Sequence, residues 1–185
     1  MNSNIIIISG KSGHGKDTLA NILNQKLIDY GYSVAIIHYA DILKFCLKQF
    51  YQWNGEKNEE GRYLLQHVGT DLVRAKDPDF WVNIVKNFIQ TLGSEFEVYI
   101  IPDARFANEI NIMKDSFPNV TSIRVERIEK DKMYINPILT LAQAEHESET
   151  SLDYYGAFDY YVENRSLSAL NDSAELLLYD IKLFE

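Results

Sequence analysis

A run of aliphatic residues that leads into a glycine-rich turn limits the fold of this chain more than any other feature. Residues 4–9 read Asn-Ile-Ile-Ile-Ile-Ser, and the turn Gly10-Lys-Ser-Gly-His-Gly15-Lys16 follows directly. Apolar residues then recur at helical spacing until Gly31, where a helix would end. A buried strand, a glycine turn and a helix in this order predict a phosphate-binding loop, in which backbone N–H groups and one lysine surround a phosphate.

One position of this glycine loop departs from the general pattern. Asp17 stands where most such loops place the Ser or Thr that binds magnesium, and Thr18 comes one residue later. A carboxylate here could bind Mg²⁺, directly or through water. It could equally cap the helix, because the positive end of the helix dipole stabilises an acid. The residues leave both interpretations open.

Composition excludes several classes of protein. The 185 residues carry a formal net charge of −9, which argues against a surface for nucleic acid or an anionic membrane. The single cysteine, Cys46, rules out an internal disulfide and fits a reducing compartment. No apolar run approaches the ~20 residues that span a bilayer. We therefore expect one domain, residues 1–185, in the cytoplasm, or in the host cytoplasm if a phage encodes it.

Strand-like runs alternate with helical patterns along the chain. These runs are residues 4–9, 33–38, 97–102, 120–126 and 157–163. The alternation predicts an α/β fold, with a central five-stranded parallel sheet flanked by helices. Two stretches, at about 41–80 and 127–152, are too long to be simple connectors. We expect an acceptor-binding insert and a lid insert there, which is the layout of P-loop kinases that close over two substrates.

Several segments of the chain, in the same order, resemble the phage-type deoxynucleoside monophosphate kinases, a branch of the P-loop nucleoside monophosphate kinases. The matching segments are residues 10–18, 39–44, 65–71, 74, 77–82, 101–109, 146–149 and 159–164. The Lys16-Asp-Thr18 spacing is that of the wider family, which includes adenylate kinase. The resemblance implies ATP-dependent phosphorylation of deoxynucleoside monophosphates to diphosphates, with Mg²⁺ as the cofactor and ATP as the phosphoryl donor.

The glycine loop and the end of the last strand are where ATP is expected. The resemblance implies that the loop amides and Lys16 hold the β- and γ-phosphates, and that the Thr18 hydroxyl contacts the α-phosphate. Asn164 and Arg165 follow the last strand-like run, near where the family holds adenine. The expected ATP-binding residues are Gly10, Ser12, Gly13, His14, Gly15, Lys16, Asp17, Thr18, Asn164 and Arg165.

Two charged residues follow the third strand-like run, at the edge of a parallel sheet where ligands bind. Of these, Asp103 is expected to bind Mg²⁺ together with Asp17 or to orient the attacking phosphate, and Arg105 is expected to meet an anionic substrate. The alternative is a surface Asp–Arg pair of little consequence. Family lid arginines neutralise the transferring phosphoryl group, and we expect Arg124 and Arg127 on one side of the strand that enters the lid. The predicted catalytic residues are Lys16, Asp103, Arg105 and Arg127.

The first insert carries most of the residues expected to bind the acceptor. Arg74 suits a bidentate grip on a monophosphate, and Gln66 could pair with a base edge. Asp41 either faces the acceptor or is an ordinary helix N-cap, and both interpretations stay open. The expected acceptor-binding residues are Asp41, Lys44, Gln66, Arg74 and Arg105. Small-molecule nucleotides are the expected partners, and the sequence leaves a homodimer open.

Two rival functions stay open. Parts of the glycine loop and of residues 103–106 are also similar to animal-type phosphomevalonate kinase, so another small phosphate ester could be the acceptor. Such a site needs no reader of a base edge, which makes Gln66 the discriminating residue. An ATP-binding sensing module is the second rival, and the three arginines Arg74, Arg105 and Arg127 argue against it because a sensor needs no acceptor site.

Overall fold

The computed structural model describes residues 3–183 and places a parallel sheet at the centre of the molecule. Residues 1, 2, 184 and 185 of the expected domain lie outside the described residues. The strands are β1 (Asn4–Ser9), β2 (Val34–Ile36), β3 (Val98–Ala104), β4 (Val120–Glu129), β5 (Lys132–Met133) and β6 (Tyr160–Asn164).

Five of these strands are parallel, in the order β2, β3, β1, β4, β6. The predicted five-stranded parallel sheet is therefore confirmed. The short strand β5 adds an antiparallel hairpin to the far end of β4, in which Ile128 pairs with Met133. This hairpin did not appear among the predicted strands, because β5 has two residues and no apolar run.

Helices cover both faces of the sheet. They are α1 (Lys16–Asp29), α2 (Asp41–Phe50), α3 (Glu59–Gln66), α4 (Phe80–Leu92), α5 (Ala107–Ser116), α6 (Leu141–Glu145), α7 (Glu147–Thr150) and α8 (Leu167–Asp180). A π-helical segment, His67–Arg74, continues α3 without a break. None of the helices within residues 3–183 has the length and apolarity that crossing a bilayer requires.

The isoleucines of β1 divide the core between the two faces of the sheet. Ile5 and Ile7 belong to the cluster that includes α2, α4 and α5, whereas Ile6 and Ile8 belong to the cluster with α1 and α8. Side chains alternate along a strand, so a strand buried on both faces must be apolar at every position. Burying each of these side chains stabilises the fold by about 1.5–3 kcal/mol. The unbroken isoleucine run therefore fixes β1 at the centre.

The two inserts lie against each other. Gln66 Nε2 donates to the Gln143 carbonyl at 3.0 Å, and Gln143 Nε2 donates to the Glu59 carbonyl at 3.0 Å. His146 Nε2 lies 3.2 Å from Asp71 Oδ1. The second insert thus reaches the α3 and π-helical region of the first insert, and a cleft remains between both inserts and the glycine loop.

Candidate functional site

The glycine loop joins β1 to α1 through a backbone path that requires glycine. Gly13 and Gly15 have φ of +82° and +98°, where side chains are strained. A Cβ on Gly10 would lie 2.5 Å from the Val125 carbonyl oxygen, and one on Gly15 would overlap Asn164 Nδ2. The loop is therefore pressed against β4 and β6, and its turn opens toward the carboxyl ends of the strands.

Lys16, the first residue of α1, bends back over this loop. Only 8 % of the residue is exposed, and its Nζ donates to the Lys11 carbonyl at 2.9 Å. Burial, followed by the nearby Arg105 charge, lowers the pKa of Lys16 to about 7. The negative charges of Glu149, Asp17 and Asp103 partly oppose this lowering, and a bound phosphate would add to their effect.

A carboxylate from the second insert sits in the loop. The Ser12 backbone N–H donates to Glu149 Oε2 at 2.9 Å, and Arg105 pairs with Glu149 Oε1 at 2.8 Å. The Glu149 side chain is 8 % exposed. The Ser12 amide and Arg105 thus hold an anion that the protein itself provides, and the Glu149 charge also acts on the neighbouring Lys16.

A cavity of about 430 Å³ connects the glycine loop to the first insert. Among the residues predicted from sequence, those that line it are Ser12, Gly13, Lys16, Asp17, Lys44, Gln66, Arg74, Asp103 and Arg105. Those outside its lining are Gly10, His14, Gly15, Thr18, Asp41, Arg127, Asn164 and Arg165. The structure therefore brings the predicted donor loop and most of the predicted acceptor residues to one cavity.

The carboxylates predicted to bind Mg²⁺ have different surroundings. Both oxygens of Asp103 accept backbone N–H bonds, from Tyr39 at 2.9 Å and Ala40 at 3.0 Å, so this residue fastens the end of β3 to the start of α2. The Asp17 side chain is 72 % exposed and lies 3.8 Å from His38 Nε2. The His38 imidazole lowers the pKa of Asp17, and Asp17 in turn raises the pKa of His38.

Arg74 is held by a buried acid. Its guanidinium pairs with Glu109 and lies 4.1 Å from the centre of the Phe106 ring. The other Glu109 oxygen accepts the backbone N–H groups of Arg105 at 2.6 Å and Phe106 at 3.0 Å. Burial raises the pKa of Glu109, while the Arg74 charge opposes that rise. The Glu109 carboxylate therefore positions both predicted acceptor arginines. It holds Arg74 by the guanidinium and Arg105 by the backbone N–H.

Three further predicted residues lie outside the cavity lining. Asn164 Nδ2 donates to the His14 carbonyl at 3.0 Å beneath the loop. Arg165 is on the surface, paired with Glu163 and Asp131. Asp41 is the first residue of α2. Its carboxylate accepts the His38 backbone N–H at 3.1 Å and pairs with Lys44 Nζ at 3.0 Å.

His14 ties the loop to the β4–β5 hairpin. The Arg127 backbone N–H donates to His14 Nδ1 at 3.3 Å, so the other ring nitrogen, Nε2, carries the proton and donates to the Tyr134 carbonyl at 3.0 Å. Burial is the largest effect on this imidazole and lowers the pKa of His14. The buried ring is therefore neutral near pH 7 and supports the loop.

The expectation that Arg124 and Arg127 share one side of β4 is wrong. They are three residues apart, and side chains alternate along a strand, so they point to opposite faces. Arg124 is 5 % exposed and donates to Ser9 Oγ at 3.2 Å. Arg127 is 40 % exposed, pairs with Glu129 and lies 4.2 Å from the centre of the Tyr134 ring.

Two cavity residues do not stand out in the sequence. Arg62, in the first turn of α3, donates from NH1 to Ser12 Oγ at 3.3 Å. Asn136, after β5, donates to the same hydroxyl at 3.1 Å. Neither belongs to a segment with a recognisable pattern, since each reaches Ser12 only through the packing of an insert. Ser12 is thus the point where the loop and both inserts meet.

Comparison with known proteins identifies relatives at two levels. A family model described as deoxynucleotide monophosphate kinase matches residues 37–146, which include the first insert, β3, β4 and most of the second insert. The match begins after the glycine loop. The phosphate-binding loop is therefore a second line of evidence, independent of the family match.

Solved structures of kinases share the fold. The APS kinase of Mycobacterium tuberculosis, solved with AMPPNP and APS, superposes with a TM-score of 0.54 at 12 % identity, covering 99 % of each chain. A sugar kinase from Janibacter sp. has a TM-score of 0.59 at 15 % identity, covering 97 % of this chain and 95 % of its own. A shikimate kinase from Bacteroides thetaiotaomicron has a TM-score of 0.52 at 15 % identity, covering 97 % and 98 %. At these identities the likeness establishes the P-loop kinase fold.

Proposed function

The chain belongs to the deoxynucleotide monophosphate kinase family, and we propose that it transfers the γ-phosphate of ATP to a deoxynucleoside monophosphate. One observation carries this proposal: a single cavity joins the glycine loop to Arg74 and Arg105. A kinase must hold two anions next to each other, and phosphoryl transfer depends mainly on such positioning and on positive charge. A protein that only senses ATP needs no second set of cations.

The donor phosphates are assigned to the glycine loop. ATP is the donor that P-loop kinases use, and its phosphates would replace the Glu149 carboxylate at the Ser12 N–H. Lys16 would then release the Lys11 carbonyl and donate to a phosphate oxygen. Each of these exchanges substitutes a ligand anion for a contact within the protein, so the loop needs little rearrangement to bind.

The acceptor is assigned to the space between α2, the π-helical segment and α5. Arg74 and Arg105 would hold its monophosphate, since guanidinium groups match phosphate oxygens in geometry. Apolar side chains at the same end of the cavity suit a flat base: Leu43, Leu65, Trp81 and Phe106. Arg74, the last residue of the π-helical segment, lines the cavity, and such irregular helices often occur at functional sites.

The reaction needs no protein nucleophile or general base. An oxygen of the acceptor monophosphate attacks the γ-phosphorus of ATP and forms a new P–O bond. The bond from the γ-phosphorus to the β–γ bridging oxygen breaks, and its electron pair stays on ADP. The acceptor oxygen is already anionic, so the protein contributes position, charge and exclusion of water.

The residues present fit a magnesium ion. Asp17 and Asp103 both line the cavity and offer carboxylate oxygens, and Mg²⁺ in such sites is usually held by one or two carboxylates together with substrate phosphates. Within residues 3–183, no three His, Cys, Asp or Glu side chains converge as a complete metal site. When bound, the ion would neutralise phosphate charge, and Asp17 is the freer ligand because Asp103 already accepts two N–H bonds.

The test is ADP formation from Mg-ATP with each of the four deoxynucleoside monophosphates, the ribonucleotides and phosphomevalonate as separate acceptors. We expect one or more deoxynucleotides to stimulate ADP formation, with the matching diphosphate as the product. Slow hydrolysis that no acceptor stimulates would contradict the proposal and favour the sensing module.

One observation keeps a second acceptor in view. The Gln66 amide nitrogen donates to the Gln143 carbonyl, so part of its hydrogen-bonding capacity is used by the second insert and less is left to read a base edge. A kinase of another small phosphate ester, such as phosphomevalonate, needs no such reader. Turnover of phosphomevalonate without turnover of any deoxynucleotide would select this alternative.

A further inference from the structure

Among the residues that the structure describes, 3–183, Arg62 is the arginine that has no acidic partner. The other arginines pair with carboxylates within 4.0 Å: Arg74 with Glu109, Arg105 with Glu149, Arg124 with Asp153, Arg127 with Glu129, and Arg165 with Asp131 and Glu163. In the part of the chain that the structure describes, residues 3–183, no carboxylate lies at this distance from Arg62. The protein has a net charge of −9 and therefore more acidic than basic residues. The absence of a carboxylate next to Arg62 is thus a feature of this site and does not reflect a shortage of acids.

The location of Arg62 points to an anionic ligand. Its side chain lines the same cavity as Lys16 and Arg105, and its NH1 donates to the neutral Ser12 hydroxyl at 3.3 Å. Its Nε is buried and, among the described residues, has no hydrogen-bond partner. Buried donors are nearly always satisfied, and a half-buried charge without a counter-ion is unfavourable. A ligand anion would remedy both deficits.

The contact with Ser12 brings this guanidinium to the junction of the loop and the first insert. Ser12 belongs to the loop assigned to the ATP phosphates, whereas Arg62 comes from the insert assigned to the acceptor. A guanidinium carries several donors in one plane and can contact oxygens of two phosphates together. By contrast Arg127, the arginine predicted for this task from sequence, lies outside the cavity lining and pairs with Glu129.

We propose that Arg62 is a catalytic residue that contacts the phosphoryl group during its transfer. The inference rests on the proposed function, because it needs two phosphates in the cavity. As the bond to the ADP oxygen breaks and the bond to the acceptor oxygen forms, negative charge shifts along the line between them, and Arg62 stabilises it there. Arginines that stabilise this charge in other phosphoryl-transfer enzymes contribute factors of about 10³–10⁵ to kcat.

The test compares Arg62→Ala and Arg62→Lys with wild type. We expect Arg62→Ala to lower kcat by about 10³-fold or more while the KM values for ATP and the acceptor change little. Arg62→Lys should recover only part of the loss, because an ammonium cannot bridge two phosphates. Guanidinium ion added to the alanine variant should restore part of kcat. Lys48→Ala, which removes one exposed positive charge on α2 outside the cavity, is the matched control and should behave as wild type.

A kcat within a few-fold of wild type in Arg62→Ala, or a loss confined to one KM, would overturn the inference. Thermal unfolding checks that both variants fold. If Arg62→Ala does not fold, the kcat of Arg62→Lys decides the test, and a wild-type value would overturn the inference. If wild type turns over a different acceptor, the proposed function fails and the same comparison runs with that acceptor.

A binding measurement decides the case in which wild type turns over no acceptor. Calorimetric titration compares ADP alone with ADP plus aluminium fluoride, which imitates the transferring group. If aluminium fluoride increases the affinity for ADP in wild type but not in Arg62→Ala, the result would support the role of Arg62. An equal increase in affinity in both proteins would overturn it.

Discussion

Lys16 combines a charged function with a buried position. Its pKa of about 7 means that, near neutral pH and without a ligand, the Lys16 side chain is a neutral amine in about half of the molecules. Phosphate oxygens favour the charged form, so ATP should raise this pKa and binding should take up a proton. In the free protein the neutral amine prevails above pH 7, and ATP affinity should therefore fall as the pH rises above that value.

We predict the uptake of nearly one proton per ATP bound at about pH 8.5, where ATP itself no longer titrates. Calorimetry in buffers of different ionisation enthalpy measures this number. Lys16→Arg keeps the positive charge but does not titrate in this range, so it should take up no proton. Wild-type binding without proton uptake would contradict the pKa assigned to Lys16.

Gly15 is constrained by both its conformation and its neighbour. Its φ is +98°, and an added Cβ would overlap Asn164. Gly31 has a similar φ of +91° but nothing within 4 Å of such a Cβ. The pair therefore separates backbone strain from steric overlap.

We predict that Gly31→Ala lowers the free energy of unfolding by about 1–2 kcal/mol, the cost of a left-handed alanine. Gly15→Ala should lower it by at least about 1 kcal/mol more, because the Asn164 amide must move and lose its bond to the His14 carbonyl. Urea unfolding of both variants measures the difference. Equal losses would mean that Asn164 does not press on the loop.

At the scale of the elements, α7 carries an acid into the glycine loop. The Glu149 carboxylate accepts the Ser12 N–H and pairs with Arg105, so it competes with the phosphates of ATP for the same donors. Glu147, two residues earlier on the same helix, is exposed.

We predict that Glu149→Gln binds ATP about fivefold more tightly, which corresponds to about 1 kcal/mol for a weaker competing hydrogen bond. Glu147→Gln removes the same charge away from the loop and should leave the affinity unchanged. Direct titration of ATP measures both. Unchanged or weaker binding by Glu149→Gln would show that its carboxylate does not compete with ATP.

The sequence patterns predicted elements better than the contacts between them. The isoleucine run and the alternation of strands and helices were sufficient for the parallel sheet, because burial on both faces leaves a local signal. The approach of Arg62 and Glu149 to Ser12 spans 50 and 137 residues, and no local pattern encodes it. The π-helical segment, His67–Arg74, is likewise set by packing, since Trp81 Nε1 donates to the Gly69 carbonyl at 2.9 Å.

At the scale of the whole molecule, an acidic protein encloses a cationic cavity. The net charge is −9, yet basic residues outnumber acids in the cavity lining, with Lys16, Lys44, Lys57, Arg62, Arg74 and Arg105 against Asp17, Asp103, Glu109 and Glu149. Local cations and loop amides govern phosphate binding at close range, whereas salt screens the distant acids over about 8–10 Å. The net charge of the protein is thus a poor predictor of phosphate binding. The arrangement of both inserts around the loop is a better predictor.

The central claim is that ATP and a phosphate acceptor occupy this one cavity and exchange a phosphoryl group directly. The most direct test follows ATP labelled in its γ-phosphate through the reaction with deoxynucleoside monophosphates. We predict that the label appears in the β-phosphate of a deoxynucleoside diphosphate. Label recovered only as inorganic phosphate, with no acceptor carrying it, would contradict the account.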